Sequence, residues 1–466
     1  MRTPMIDPPP EDPPPGDRPS ALPSDASATC AEIGRMHRLR ASLEAQELLL
    51  VAHLCDTAPP PPPQQGLPGR TEMVPGGGDG TPRIPEFLHL ELGPVLGTTP
   101  FAARRLIADV LDLRHRLPQL WRAVLDCRIP VALGRRIAAL CGAAHLSRDG
   151  ARGVDDALAG RLEGLGFGRA VALAEAEIVR ADPVGHRARE DAARRERCVR
   201  LGRPDDSGTR SLFARLNTAD AVHVKAMVER LSGVLEARGD GSPAGERNAR
   251  ALGILASPAR AVLVLAGASE ATTEEATIAR ALDGIDPDRL IPPVRLYVHA
   301  HLDALDPHDV ARVEDGPAVL VERLPELLGT SRVRVTQVLD TRDSTATDAY
   351  EVPAAMRERL TCAQPYEVFP WSTRRSRRLD LDHTRPFRPG RRGQTRPDNL
   401  GPLGRTVHRA RTHGGFRVEQ PVPGLWIWQT PLGGTYSVTN RGATAWGPND
   451  SMVEIVAHHR IRSAHP

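Results

Sequence analysis

Aromatic residues are scarce, at 3% of 466 residues, so a core of ordinary size must be built from Leu, Val, Ala and Ile. Lysine is almost missing: Lys225 is the only one among 61 basic residues. That imbalance is what a GC-rich coding bias produces, so the abundance of arginine does not by itself imply a partner. Six cysteines are scattered at positions 30, 55, 127, 141, 198 and 362, and none forms a Cys-x-x-Cys pair. A disulfide scaffold is excluded, and a reduced, cytoplasmic setting is expected. No run of 18 or more apolar residues occurs, so no membrane span is expected. The N-terminus, MRTPMIDPPPEDPPPGD, lacks the apolar centre of a secretory signal. Net charge is only +3, too small to select a partner class.

Proline (44) and glycine (41) are plentiful and clustered, which predicts ordered blocks between loose ones. Residues 1–28 read as a disordered Pro-rich tail. Residues 29–58 read as one helix, with Ile33, Met36, Leu39, Leu43, Leu48 and Val51 near helical spacing. Residues 59–85 read as a Pro/Gly linker or insertion. Residues 86–345 read as a helical domain. Within it, Leu106, Val110, Leu113 and Leu117 share a face, and a helix starts at the candidate cap Thr218 and ends at Gly239. His223, alone among apolar neighbours, reads as a structural histidine. Between Pro293 and Thr341 the period shifts toward alternation in VRLYVHAHL and VRVTQVLDT, with PAVLVERLPELLG between them, predicting a small α/β element. His299 and His301 lie two apart there, a metal-compatible spacing that is more often a surface feature.

The C-terminal quarter carries the chemistry. LDLDHTRPF, TRPDNLGPL and RTVHRARTHGG set Asp382 beside His383, Asn399 on a turn, and His408 in a basic, helix-compatible run stopped by Gly414–Gly415. The spacings are 399 − 383 = 16 and 408 − 399 = 9. An Asp–His pair with a distal His can hold a hard cation and deprotonate a water beside one phosphate. From Trp371 to Gln420 there are 13 arginines against four acids, a balance of 13 − 4 = +9 that suits a polyanion.

Asp-His-x-x-Pro, Asp-Asn-Leu and the late His resemble the HNH endonuclease pattern. With the trailing THGGFRVEQPVPGLWIWQTPLGGTYSV, residues from about Thr29 to Thr444 resemble actinobacterial proteins that join a helical region (domain of unknown function 222, the 13E12 repeat family) to an HNH module. The resemblance implies a mainly α chain: a large helical N-terminal domain with a small α/β element, then a ββα-metal module over 346–444 and a C-terminal tail over 445–466. It implies metal-dependent hydrolysis of DNA, with RNA an alternative substrate. His383 would be the general base, Asn399 the loop-holding residue, and Asp382 and His408 the metal ligands. Arg405, Arg409 and Arg411 would bind phosphate. Asp380, two before Asp382 and so on the same face of a strand, would either support the ligands or add one more. Mg²⁺ is the expected cation, with Mn²⁺ or Zn²⁺ as alternatives. Relatives often carry a structural zinc on four cysteines. Cys362 stands alone here, and Gly404 and Val407 occupy positions where such cysteines occur, so no such zinc is expected. Trp426, Trp428, Phe416 and Tyr436 would supply packing in its place. Two other readings stay open: an inactive nucleic-acid-binding accessory protein of a mobile element, and a helical scaffold that self-associates.

Overall fold

The structure, a computed structural model, describes residues 22–23, 25–60, 71–204, 209–290, 298–299, 310–313, 318–324, 345–448 and 450–464. It is mainly helical with small antiparallel sheets. Among the described residues no single helix is long and apolar enough to cross a membrane. The chain forms two compact units, residues 1–186 with 340–466, and residues 187–339. The expected 86–345 domain is therefore divided, and its first part shares a unit with the C-terminal module.

The first unit opens with α1 (Ala26–Thr57), capped where Asp25 accepts from the Ala28 N–H. Only its C-terminal half is buried, through Leu48, Val51, Ala52 and Cys55, while Ile33, Met36, Leu39 and Leu43 stay exposed. The apolar stripe is present, but helices pack on its second half alone. Next come β1 (Met73–Pro75) and β2 (Arg83–Pro85), then α2 (Leu88–Val95), α3 (Pro100–Arg116), α4 (Pro118–Leu125), α5 (Val131–Ala143), α6 (Arg148–Leu158) and α7 (Phe167–Ala181). α3 is central: α1, α2, α4, α5 and α6 all pack on it, and Leu106, Val110, Leu113 and Leu117 are buried as the helical spacing predicts.

Residues 71–85 are not a loose linker. They form the β1–β2 hairpin, whose glycine loop lies on α3. The Gly78 N–H donates to Asp112 Oδ1 at 2.8 Å. Arg116, 1% exposed, donates to the Leu146 carbonyl and faces Asp112 at 3.2 Å. A Cβ on Gly78 would meet that guanidinium at 2.1 Å. The glycines are there for close approach, which composition alone reads as looseness. Gly78→Ala is expected to cost about 1–3 kcal/mol of stability, read from urea denaturation, because the buried guanidinium has nowhere to go.

α8 (Pro183–Arg195) crosses the division between the units. The second unit holds the β3 (Cys198–Pro204)–β4 (Arg210–Arg215) hairpin and the helices α9 (Thr218–Ala237), α10 (Ala244–Leu255), α11 (Pro258–Ala266) and α12 (Thr273–Ala281). α9 is capped by Asn217, one residue before the expected Thr218. His223 is exposed rather than enclosed by its apolar neighbours. A small core of Val228, Leu231, Ala251, Ala261 and Leu265 joins α9, α10 and α11. The expected α/β element is represented by β5 (Val298–His299), β6 (Val310–Val313) and β7 (Ala318–Leu320), an antiparallel sheet in that order. His301 and the VRVTQVLDT strand lie outside the described residues.

The first unit resumes with α13 (Ala354–Ala363), β8 (Asp380–His383), β9 (Leu400–Leu403) and α14 (Arg405–His413). β8 and β9 pair antiparallel and α14 follows directly, so this part of the chain is a hairpin and a helix. A four-stranded meander comes next: β10 (Arg417–Val422), β11 (Leu425–Gln429), β12 (Thr435–Thr439) and β13 (Gly442–Trp446). Phe416, Trp426, Trp428 and Tyr436 are buried, with the Trp428 Nε1–H donating to the Val368 carbonyl at 2.5 Å. The last element, α15 (Met452–Ala464), buries Ile455 against Leu425 and Ile427, so the expected tail over 445–466 holds a packed helix in its described part.

One core spans both ends of the sequence. Phe87 and Leu90, at the start of α2, are buried among Phe369, Val407, Phe416 and Trp428. Arg409 makes a two-pronged ion pair with Glu86 and lies 5.7 Å over the Phe87 ring. The Thr71 hydroxyl donates to the His413 carbonyl at 3.0 Å.

Candidate active site

α14 is set at a fixed angle to the hairpin by a buried carboxylate. Its first residue follows Gly404, which offers no side-chain cap. Glu367, 2% exposed, accepts instead from the Gly404 N–H at 2.6 Å and from the Ser372 hydroxyl at 2.6 Å. Val407 and Ala410 then point into the core. Helical phase turns His408 and Arg411, three residues apart, toward β8.

Asp382 lies opposite Gly401 in the hairpin. His408 Nε2 comes within 3.4 Å of Asp382 Oδ1, and Arg411 donates to Asp382 Oδ2. The second guanidinium nitrogen of Arg411 donates to the Thr384 carbonyl at 2.7 Å. Asp382 and His408, which are 26 positions apart in sequence, are thus brought together. Two donors about 2.1 Å from one octahedral cation on adjacent corners lie about 3 Å apart, so this pair fits a hard divalent ion. Among the described residues no group of three or more His, Cys, Asp or Glu converges.

His383 is the next residue on the strand, and side chains alternate there, so its ring leaves on the other pleat. That side carries Leu381, packed with Met356 and Leu360 of α13. The ring is 6% exposed, stacked on Tyr350 at 5.6 Å between centroids and tilted against Phe387 at 5.5 Å. Its Nε2 lies 2.8 Å from Thr395 Oγ1, and that hydroxyl donates its one hydrogen to the Ala349 carbonyl at 2.6 Å. Thr395 must therefore accept from His383, which puts the ring proton on Nε2 and the lone pair on Nδ1. Nδ1 makes no hydrogen bond among the described residues. Burial lowers the pKa of His383; the charge of Asp382 opposes this and that of Arg411 reinforces it. The neutral ring is the favoured form.

Asn399 ties together the loop that leaves β8. Its Oδ1 accepts from the Arg385 N–H at 2.8 Å, and its Nδ2 donates to the Gln394 carbonyl at 2.9 Å and the Arg385 carbonyl at 3.2 Å. The loop also carries Thr395, so Asn399 acts on His383 through it.

The arginines divide differently from the sequence expectation. Arg405 is exposed, but Arg409 is paired with Glu86 and Arg411 with Asp382. Helical phase, not charge, decides which guanidinium faces outward. Arg385, Arg388, Arg391 and Arg392 are exposed on the neighbouring loop. Asp380 is exposed on the same strand face as Asp382 and touches neither candidate ligand. Tyr350, Thr395, Glu367 and Glu86 had no sequence signal, since each acts on a residue distant in the chain or buried in a loop. No protein-family model, no curated protein and no solved structure matches this chain.

Proposed function

We propose that this protein is an HNH-type endonuclease that hydrolyses DNA phosphodiester bonds with a divalent cation, Mg²⁺ being the first choice. The observation that carries this reading is the 3.4 Å approach of His408 to Asp382, from a helix onto a hairpin that also bears a buried neutral histidine.

A cation held by Asp382 Oδ1 and His408 Nε2 would supply positive charge beside the scissile phosphate and the departing 3′ oxygen. The ring of His383 lies on the pleat opposite Asp382 and His408 and does not join them in one cleft. To act as general base, its Nδ1 would have to reach the attacking water round the edge of β8, taking the proton as the water oxygen bonds to phosphorus and the bond to the 3′ oxygen breaks. The Nε2–H stays on Thr395, which holds the ring in the tautomer that leaves Nδ1 free. Asn399 keeps that loop in place, and Arg405 with the loop arginines binds backbone phosphates on either side.

The test is relaxation of supercoiled plasmid by the full-length protein with Mg²⁺ or Mn²⁺. Nicking is expected, is stopped by EDTA, and falls by at least about 10²-fold in Asp382→Asn. Nicking that survives both treatments contradicts the reading. One observation favours a second reading. Arg411 already occupies one oxygen of Asp382, which leaves less of that carboxylate for a cation and suits a protein that binds nucleic acid without cutting it. In that case DNA binding persists, weakens with added salt, and no nicking occurs under any metal.

A further inference from the structure

We infer that the site takes up its divalent cation together with the nucleic-acid phosphate and not before it, because Arg411 cancels the charge of Asp382. The inference rests on the endonuclease reading and deepens it. A preformed divalent-cation site normally gathers several carboxylates. Here only one of the two candidate ligands, Asp382, is a carboxylate. Arg411 sits directly on it, with both side chains only 15% exposed, so that pair sums to −1 + 1 = 0. Coulombic attraction at such a half-buried pair is screened less than at the surface.

The surroundings strengthen the point. Of the four acids between Trp371 and Gln420, Asp398 is paired with Arg396 at 2.9 Å, and Asp380 and Glu419 are exposed. The same segment holds 13 arginines; with the four acids inside it and Glu86, Glu358 and Glu367, which pair with Arg409, Arg377 and Arg374, the balance is 13 − 7 = +6. Such an excess of positive charge disfavours approach of a dication to the free protein. A phosphodiester that settles on Arg405 and the loop arginines brings negative charge beside Asp382 Oδ1 and His408. Arg411 also bridges to the Thr384 carbonyl, so it holds Asp382 with one oxygen turned toward His408 and the other occupied. It is a positioning residue that sets the order of assembly, not a phosphate contact. Linkage makes the effect reciprocal: if DNA raises cation affinity by some factor, the cation raises DNA affinity by the same factor.

The experiment is Mn²⁺ binding, followed by electron paramagnetic resonance of free Mn²⁺, to the full-length His383→Ala protein with and without a short synthetic duplex. A control with duplex alone removes its own Mn²⁺ uptake. The duplex is expected to raise Mn²⁺ affinity by about 10-fold or more. Adding Arg411→Gln is expected to raise Mn²⁺ affinity without DNA and to shrink the gain that DNA gives. Adding Arg411→Lys, which keeps the charge, should leave the linkage in place. Equal Mn²⁺ affinity with and without duplex overturns the inference, as does weaker Mn²⁺ binding by Arg411→Gln alone. Wild-type nicking without linkage removes this inference and leaves the endonuclease reading intact. Linkage without nicking does the reverse.

Discussion

Alanine at His383 is expected to slow metal-dependent plasmid nicking by about 10²–10⁴-fold, the contribution of a well-placed general base. The substitution is informative because its structural effects are confined. Thr395 keeps its donation to the Ala349 carbonyl when the imidazole is removed, so the loop retains that anchor. Asp382 and His408 lie on the opposite pleat and keep their approach. On the proposed reading DNA affinity rests on the exposed arginines and should change little. Time courses of supercoiled-to-nicked conversion at saturating Mg²⁺ measure the effect. Equal rates for wild type and variant contradict the assignment of His383, whatever else the protein does to DNA.

The second large effect is on stability. Phe87→Ala is expected to destabilise the protein by about 3–5 kcal/mol, the usual cost of emptying a buried aromatic site. Phe87 is 4% exposed and belongs to the core of the C-terminal module, although nearly 300 residues separate it from Phe369. The cost should appear in the module itself, as earlier loss of Trp426 and Trp428 fluorescence in urea. The neighbouring Glu86–Arg409 pair is partly exposed and worth only about 0.2–1 kcal/mol, so Arg409→Gln should do much less. An unchanged urea midpoint for Phe87→Ala contradicts the idea of one shared core. On the same grounds a fragment of residues 346–466 should fold poorly alone, because Phe87 and Leu90 would be missing from its interior.

What was legible in the sequence was local. Apolar–polar alternation around Leu379–Pro386 and the stop at Gly414–Gly415 give the hairpin and the helix, because both depend on neighbours a few positions away. The Asp382, His383, Asn399, His408 order gives the candidate site for the same reason, once a resemblance supplies the pairing. What composition misled was the glycine-rich stretch before α2. Its glycines admit Leu111, Asp112 and Arg116 of α3, and that need is invisible without the partner helix. Long-range contacts were beyond reach: Glu86 meets Arg409 across 323 positions. Arg411 is the instructive case. A basic helix suggests phosphate, but one turn of phase sends this guanidinium back to Asp382, and with it changes the charge at the site.

The most direct test of the central claim is anomalous scattering from Mn²⁺ in crystals of the full-length His383→Ala protein bound to duplex DNA. A single peak is expected about 2.1–2.3 Å from both Asp382 Oδ1 and His408 Nε2, with a DNA phosphate oxygen at similar distance. A peak held by other residues, or Asp382 and His408 turned apart with no metal between them in the DNA complex, would contradict the account.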